Sequence, residues 1–263
     1  MSTDIEWEKW GRQDPYFGVI TWDMFRNSKL DEQSIAAFFD SGQMHVDYVL
    51  RSCRHYFDPT FSPRRVLDFG CGVGRLLIPF AAVSQQVVGV DVSPSMLAEA
   101  QRNCESRQIG NVVLTGSDDQ LSQVEGVFDL VHSAIVLQHI PVTRGRVIFQ
   151  RLMELVAPGG VAALHLTFGK MYHAQTLGQP PVAEPSQASA AGPLSRLFRK
   201  SGSPSAEDPK SVGDPVMLMN AYNLSEIAFM MQTSGIAQFH SEFTDHGGEL
   251  GVFLYFQRPV GAA

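Results

Sequence analysis

Cysteine, basic residues and long apolar runs are all scarce in this sequence of 263 residues. The three cysteines, Cys53, Cys71 and Cys104, have no spacing typical of a metal site or a disulfide framework. We therefore expect no bound metal and a reducing, cytoplasmic environment. No apolar run approaches the roughly 18 residues needed to cross a bilayer, and the first residues lack the regions of a signal peptide. We expect no membrane partner.

The charge balance is acidic, with 20 Lys and Arg against 27 Asp and Glu and a net charge of −7. Nucleic-acid binders usually carry a basic patch, and the longest basic cluster here is Arg196, Arg199 and Lys200 in a loop-like region. The balance argues against a nucleic-acid partner. With 44% hydrophobic residues, the chain can build the core of one large α/β domain or of two small ones.

Strand and helix patterns alternate along the chain from residue 65 onward. The predicted strands are 65–69, 86–91, 111–114, 127–132, 161–167, 237–243 and 251–256, and the predicted helices are 75–83, 95–105, 143–156 and 224–233. Such alternation with short turns is typical of a doubly wound parallel sheet. The last two strands are joined by a short, turn-rich link, which predicts a hairpin and therefore one antiparallel strand.

Two regions fall outside this alternation. Residues 1–58 contain six aromatic residues between 7 and 25 without a clean period, followed by two helical patterns at 31–39 and 43–57. We expect this part to form a cap over a ligand pocket. Residues 169–215 include a stretch dense in Pro, Ala, Ser and Gly that can bury little, which predicts a flexible, lid-like insertion. The predicted domains are the cap, 1–58, and an α/β domain, 59–263, that carries the insertion.

The stretch Val-Leu-Asp-Phe-Gly-Cys-Gly-Val-Gly, residues 66–74, runs from a strand into a loop with glycines at alternate positions. Glycines allow a ligand to approach the backbone at the start of a helix. The spacing is one residue shorter than the G-x-G-x-x-G of dinucleotide-binding proteins. Asp68 precedes the loop, and a carboxylate there would repel a pyrophosphate but suit a ligand with a positive amino group.

Further acidic residues follow the next two strands. Asp91 ends the second strand about 20 residues after the loop, the separation found where a carboxylate holds a ribose. Gly-Ser-Asp-Asp, residues 116–119, follows the third strand, where an acid can accept a hydrogen bond from an adenine amino group. A glycine loop, a ribose acid and an adenine acid without a phosphate-binding group together describe S-adenosylmethionine (SAM).

These motifs resemble those of the class I SAM-dependent methyltransferases. Residues 66–74 resemble the family's first motif and 87–97 its second, and 128–131, 137–140 and 155–160 resemble the regions around its fourth and fifth strands. The resemblance covers 62–168 strongly and 216–258 more loosely. It implies an α/β, Rossmann-like fold with a seven-stranded sheet in the order 3-2-1-4-5-7-6, whose last hairpin is antiparallel.

The resemblance also implies positions for the cofactor SAM. Asp68 is expected near the methionine amino group, Asp91 on the ribose and Asp118, favoured over Asp119, near the adenine. The predicted cofactor-binding residues are Asp68, Gly70, Cys71, Gly72, Asp91, Val92, Met96, Asp118 and Asp119. Cys71 is expected to be a small loop residue and not a nucleophile.

The sequence gives fewer indications of the residues that contact the acceptor of the methyl group. His139 follows the fourth strand, where the methyl group should point, and a neutral imidazole there can take a proton from a hydroxyl or an amine. The alternative is a structural histidine that closes the pocket. The predicted substrate-contacting residues are Tyr16, His45, Asn220 and Tyr222; their structural alternatives are a packed aromatic, a helix-face residue and an entry loop with the cap of a helix.

Methyl transfer from a sulfonium needs mainly in-line alignment of acceptor and methyl. The Asn/Asp-Pro-Pro-Tyr signature of the family's nucleobase-amine enzymes is replaced by Ser-Ala-Ile-Val at 133–136. We therefore predict a methyltransferase, monomeric or homodimeric, that acts on an O- or N-nucleophile of a small molecule such as a secondary metabolite, a sugar or an amino compound. One alternative is an enzyme of the same fold that uses SAM for cyclisation or aminocarboxypropyl transfer and releases methylthioadenosine. The other is a SAM-binding regulator or a degenerate partner subunit of an enzyme.

Overall fold

The structure is a computed structural model that describes residues 3–171 and 213–261. The residues up to 171 and from 215 onward form one compact unit. Most of the predicted insertion, residues 172–212, lies outside the described residues. Within the described ranges, no helix is both long and apolar enough to cross a membrane, and no cluster of His, Cys, Asp or Glu could hold a metal ion.

A seven-stranded sheet runs through the unit. Its strands are β1 (Arg65–Phe69), β2 (Gln86–Asp91), β3 (Val112–Gly116), β4 (Phe128–Ser133), β5 (Val156–Lys170), β6 (Phe239–Asp245) and β7 (Glu249–Gln257). Their order is β3-β2-β1-β4-β5-β7-β6. Strands β1 to β5 pair in parallel, whereas β7 runs antiparallel to both β5 and β6. The predicted fold class, strand order and antiparallel hairpin are confirmed.

The helices of the described residues are α1 (Thr3–Gln13), α2 (Pro15–Val19), α3 (Glu32–Tyr56), α4 (Leu77–Val83), α5 (Pro94–Ser106), α6 (Val142–Leu155) and α7 (Leu224–Thr233). One prediction was wrong here, because the two helices expected at 31–39 and 43–57 are the single helix α3. Gly42 lies inside this helix, where a Cβ atom would collide with the backbone carbonyl of Arg75. Gly42 therefore permits a close approach between this helix and the chain after the glycine loop.

Apolar side chains fill both faces of the sheet, as expected for parallel strands covered by helices. One cluster lies on the side of α6 and α7, and a second on the side of α3 and α4. A third cluster joins aromatic residues of the first 38 residues to Val73 in the glycine loop and to Met96 in α5. The N-terminal segment therefore packs directly on the glycine loop.

Candidate functional site

The glycine loop begins where β1 ends at Phe69. Gly70, Gly72 and Gly74 have φ angles of +75°, +52° and +91°, in the left-handed region that favours glycine. A Cβ atom at Gly70 would collide with the side chain of Val136. The loop therefore requires glycine both for its backbone conformation and for its close neighbour.

Asp91 lies at the end of β2 with its half-buried carboxylate against the loop. One oxygen accepts a hydrogen bond from the backbone N–H of Gly72 and the other from that of Ser93, both at 2.9 Å. Burial raises the pKa of Asp91 to about 6, although the two hydrogen bonds act in the opposite direction. A carboxylate oxygen has two acceptor sites, so both oxygens can accept a further hydrogen bond from a ligand.

A cavity lies beside this loop and carboxylate. The predicted residues that line it are Gly70, Gly72, Asp91, Val92, Met96 and His139. Further lining comes from residues outside the predicted set of site residues, among them Thr3, Asp4, Trp7, Ser117, Val136 and Arg144. The structure thus brings the glycine loop, the end of β2 and the segment after β4 together around one space.

Helix α1 covers part of this cavity and is held in place by hydrogen bonds. Thr3 donates to the backbone carbonyl of His139 at 2.8 Å, and Asp4 pairs with Arg144 at 2.9 and 3.1 Å. Glu8 accepts hydrogen bonds from the hydroxyl of Ser93 and from both the N–H and the hydroxyl of Ser95, at 2.7 to 3.1 Å. The helix therefore connects the segment after β4 with the start of α5.

His139 ends a short 3-10 turn, Leu137–His139, that follows β4. Its Nδ1 lies 2.8 Å from the backbone carbonyl of Leu218, so this nitrogen carries the proton and Nε2 has the free lone pair. Trp7 contacts the ring edge-on, with ring centroids 4.9 Å apart. Burial lowers the pKa of His139 to about 4. The imidazole is therefore neutral near pH 7 and can accept a proton at Nε2.

The two acids after β3 have different surroundings. Asp118 is exposed and accepts hydrogen bonds from the backbone N–H groups of Gln120 and Ser122, both at 3.0 Å. It stabilises a turn and does not line the cavity. Asp119 pairs with Arg144 at 2.7 to 3.0 Å, and Arg144 does line it. The roles proposed for both acids stay predictions.

Asp68 and Cys71 are buried beside the cavity but do not line it. Asp68 Oδ1 lies 2.9 Å from Nδ1 of His132, and Oδ2 has no hydrogen-bond partner among the residues that the structure describes. The Cys71 thiol belongs to the apolar cluster on the α3 side, and burial raises its pKa well above the ordinary value. This makes the thiol a poor nucleophile.

The residues predicted to contact substrate lie around the cavity instead of lining it. The hydroxyl of Tyr16 is 2.9 Å from Glu99 and 3.0 Å from Asn103, and His45 is 3.0 Å from His132. Asn220 donates from both its backbone and its side chain to the carbonyl of Gln138. Tyr222 donates to the carbonyl of Leu137 at 2.8 Å. The last two therefore stabilise the turn that carries His139.

The sequence did not indicate a role at the site for two charged or titratable residues, His132 and Arg144. His132 is paired with Asp68 in the register of β4 against β1, so the implied strand order contains the signal that places them side by side. Arg144 connects Asp4 with Asp119. No sequence motif indicates that contact, because its three residues are far apart in the chain.

Comparison with known proteins gives a consistent result. Residues 66–160 match the family model of a methyltransferase domain. The chain is 33% identical over 144 residues to the trans-aconitate 2-methyltransferase of Methylobacterium nodulans, with 51% of this chain and 52% of that protein covered. It is 34% identical over 90 residues to the magnesium-protoporphyrin O-methyltransferase of Synechocystis, with 34% and 39% covered. This chain spans about half or less of the length of the relatives it matches.

A solved structure extends the likeness to the whole fold. The crystal structure of magnesium protoporphyrin IX methyltransferase from Synechocystis with bound S-adenosylhomocysteine (SAH) superposes with a TM-score of 0.60. The superposition covers 98% of this chain and 100% of that one, at 20% sequence identity. Residues 66–160 thus match a methyltransferase domain, and the chain has the fold of the class I SAM-dependent methyltransferases.

Proposed function

We propose that this chain binds SAM in the cavity beside the glycine loop and transfers its methyl group to a small molecule. The observation that carries the proposal is the half-buried Asp91 carboxylate, which faces this cavity and is oriented by the N–H groups of Gly72 and Ser93. A carboxylate with free lone pairs at the end of β2 suits the two hydroxyls of a ribose.

The residues around the cavity fit the rest of the cofactor. Gly70 and Gly72 present bare backbone, which a methionine chain can approach. Val92 and Met96 supply apolar surface next to Asp91, which suits one face of an adenine ring. Asp68, Cys71, Asp118 and Asp119 lie outside this lining, and their contacts with the cofactor stay predictions.

We assign His139 as the general base. When bound, SAM would supply an electrophilic methyl group. The chain would align the acceptor with it and, where the acceptor is a hydroxyl or amine, take the acceptor's proton on Nε2 of His139. The position of His139 in the cavity lining and the hydrogen bond from Nδ1 to Leu218 support this role, because that hydrogen bond leaves Nε2 as the acceptor.

The acceptor is proposed to be an O- or N-nucleophile of a small molecule. The acidic net charge of −7 supports this over a nucleic acid. The relatives named above act, by their names, on trans-aconitate and on magnesium protoporphyrin, which are small molecules. We further propose a cytoplasmic monomer or homodimer, in which residues 1–58 cap the α/β domain 59–263.

The test is mass spectrometry of the purified protein incubated with SAM, first alone and then with a cell extract. SAH that appears only with extract, together with an acceptor heavier by one methyl group, is the expected result. Asp91→Ala protein is the matched control and should form no SAH. Methylthioadenosine formed from SAM alone, faster than in buffer without protein, would contradict methyl transfer and favour the reaction in which SAM is itself the substrate. SAM bound without turnover in any extract would favour a regulator.

A further inference from the structure

Three polar side chains form a hydrogen-bonded chain beneath the glycine loop. Asp68 Oδ1 is 2.9 Å from Nδ1 of His132, and Nε2 of His132 is 3.0 Å from Nε2 of His45. Asp68 is 2% exposed and His132 is fully buried. None of the three lines the cavity. The site described above therefore gives no direct role to His132 or His45.

If both imidazole rings are neutral, the protons of this hydrogen-bonded chain have only one possible arrangement. A carboxylate only accepts hydrogen bonds, so Nδ1–H of His132 donates to Asp68. The other nitrogen of that ring then has the lone pair, so Nε2–H of His45 donates to it. Burial lowers the pKa of His45 well below its ordinary value, with the neighbouring His132, Arg75 and His165 acting in the same direction. His45 is therefore a neutral donor, as the arrangement requires.

Asp68 retains one oxygen without a partner. Oδ2 is buried and has no hydrogen bond among the described residues. A buried acceptor without a donor is costly. Asp68 directly precedes Phe69 and Gly70, which both line the cavity. A ligand with a positively charged donor that reaches past this backbone would therefore form a hydrogen bond with Oδ2 and remove the free-energy cost of leaving this oxygen unsatisfied.

We propose that His132 and His45 are positioning residues for the cofactor. They hold the Asp68 carboxylate through Oδ1 and leave Oδ2 to accept a hydrogen bond from the ammonium group on the methionine portion of SAM. This inference rests on the proposed function, because it requires SAM in the cavity. It adds a requirement for two histidines that neither touch the cofactor nor line its cavity.

The test compares two ligands that differ in the methionine portion. SAH has the amino acid with its ammonium group, whereas methylthioadenosine has the same nucleoside without it. Isothermal titration calorimetry measures the affinity for each ligand, and the melting temperature of the ligand-free protein reports on folding. A positioning role predicts a selective loss of SAH affinity, whereas a purely structural role predicts equal losses for both ligands.

Two substitutions of His132 separate its two contacts. Asn places its amide near the position of Nδ1 and can still donate to Asp68, whereas Gln places its amide near Nε2 and can contact only His45. His132→Gln should weaken SAH binding roughly tenfold or more, the scale of a hydrogen bond to a charged group, with methylthioadenosine within about twofold. His132→Asn should keep SAH within about threefold of the unmodified protein.

His45 is tested in the same way. His45→Gln keeps a donor near Nε2 and should bind SAH as the unmodified protein does. His45→Leu removes the donor and should weaken SAH selectively, by less than His132→Gln because it acts one step further from Asp68. Unchanged SAH affinity in His45→Leu would remove His45 from the proposal.

The proposal is overturned if His132→Gln leaves SAH affinity unchanged or weakens both ligands equally. In either case the unmodified protein would still bind SAH, so the proposed function would stand. If the unmodified protein binds neither ligand, the proposed function fails and this inference fails with it.

Discussion

Asp91 has a partly buried carboxylate, and its proposed role in binding a ribose requires that carboxylate to accept hydrogen bonds. Its pKa of about 6 lies above the ordinary 3.8 because burial disfavours the charge. An acidic group whose pKa is raised on folding destabilises the folded protein once it ionises. The contribution of Asp91 to the stability of the folded protein is therefore lost as the pH rises from 3.8 through 6. The protein therefore tolerates an unfavourable charge at neutral pH in the place where a ribose would bind.

The affinity for SAH should consequently fall on acidification through pH 6. A protonated Asp91 has one acceptor fewer for the ribose hydroxyls, so we expect binding at pH 5 to be roughly tenfold weaker than at pH 7.5, which follows from one pKa unit below the midpoint. Calorimetry at both pH values measures the effect. Asp91→Asn is the control: it should bind weakly at both, and a similar pH dependence in this variant would assign the titration to another group.

His139 allows a different separation, between turnover and binding. His139→Asn keeps a donor near Nδ1 for the carbonyl of Leu218 but has no basic nitrogen in place of Nε2. We expect turnover to fall about 10²- to 10⁴-fold, as for loss of a general base, with SAH affinity nearly unchanged. Turnover assays with the identified acceptor and calorimetry provide the two numbers. An undiminished rate would make His139 a structural residue that closes the pocket.

At the level of secondary-structure elements, α1 provides a carboxylate to the start of another helix. Glu8 accepts hydrogen bonds from Ser93 and Ser95 at the N-terminus of α5, where a negative charge is favourable. Burial alone would raise the pKa of Glu8, but these hydrogen bonds and one from Arg12 outweigh it and lower the pKa to about 2. These hydrogen bonds of Glu8 hold the N-terminal segment next to Asp91.

Glu8→Gln should therefore destabilise the protein by about 1 kcal/mol, the typical scale of a lost helix cap. The lowered pKa gives stability that is present above pH 4.5 and is lost as the pH falls from 4.5 towards 2. Thermal unfolding at pH 7 and pH 3 measures both effects. Glu105→Gln is the matched control, because Glu105 is exposed and contacts Gln101 on the same helix. Equal changes in the two variants would contradict a capping role for Glu8.

The elements differ in how far the sequence predicts them. Strands β1 and β2 and helix α7 have the predicted bounds, since a short apolar run or a helical period between turns is a local signal. The N-terminal segment showed no clean period, although α1 is a helix of 11 residues. Its residues face different partners: Trp7 contacts His139, and Glu8 contacts the start of α5.

The residues of the candidate site also differ in how far the sequence predicts them. Gly70, Gly72 and Asp91 belong to motifs within one strand–helix–strand unit, β1–α4–β2, and the structure places them around one cavity. His132 and Arg144 act through residues 64 and 140 positions away in the chain. Such contacts depend on strand neighbours and on docked helices, and no local pattern contains them.

At the level of the whole molecule, the protein has a net charge of −7, and its candidate site also contains acidic residues. Asp4 and Asp91 line the cavity, and Asp68 lies just behind it. Among the described residues, Arg144 is the one cation in this lining, and it is paired with both Asp4 and Asp119. The field at the site therefore favours a positively charged ligand.

SAM and SAH differ in this respect, because the sulfonium of SAM adds one positive charge. We expect the affinity for SAM to fall relative to that for SAH as the salt concentration rises from 0.05 to 0.5 M, by about two- to fivefold, because ions screen the field of the whole molecule. Competition calorimetry at both concentrations gives the ratio, and contacts common to both ligands cancel in it. If the ratio of the SAM affinity to the SAH affinity did not change with salt, only contacts too close to be screened would distinguish the sulfonium of SAM. The net charge of the molecule would then have no effect on the preference for SAM over SAH.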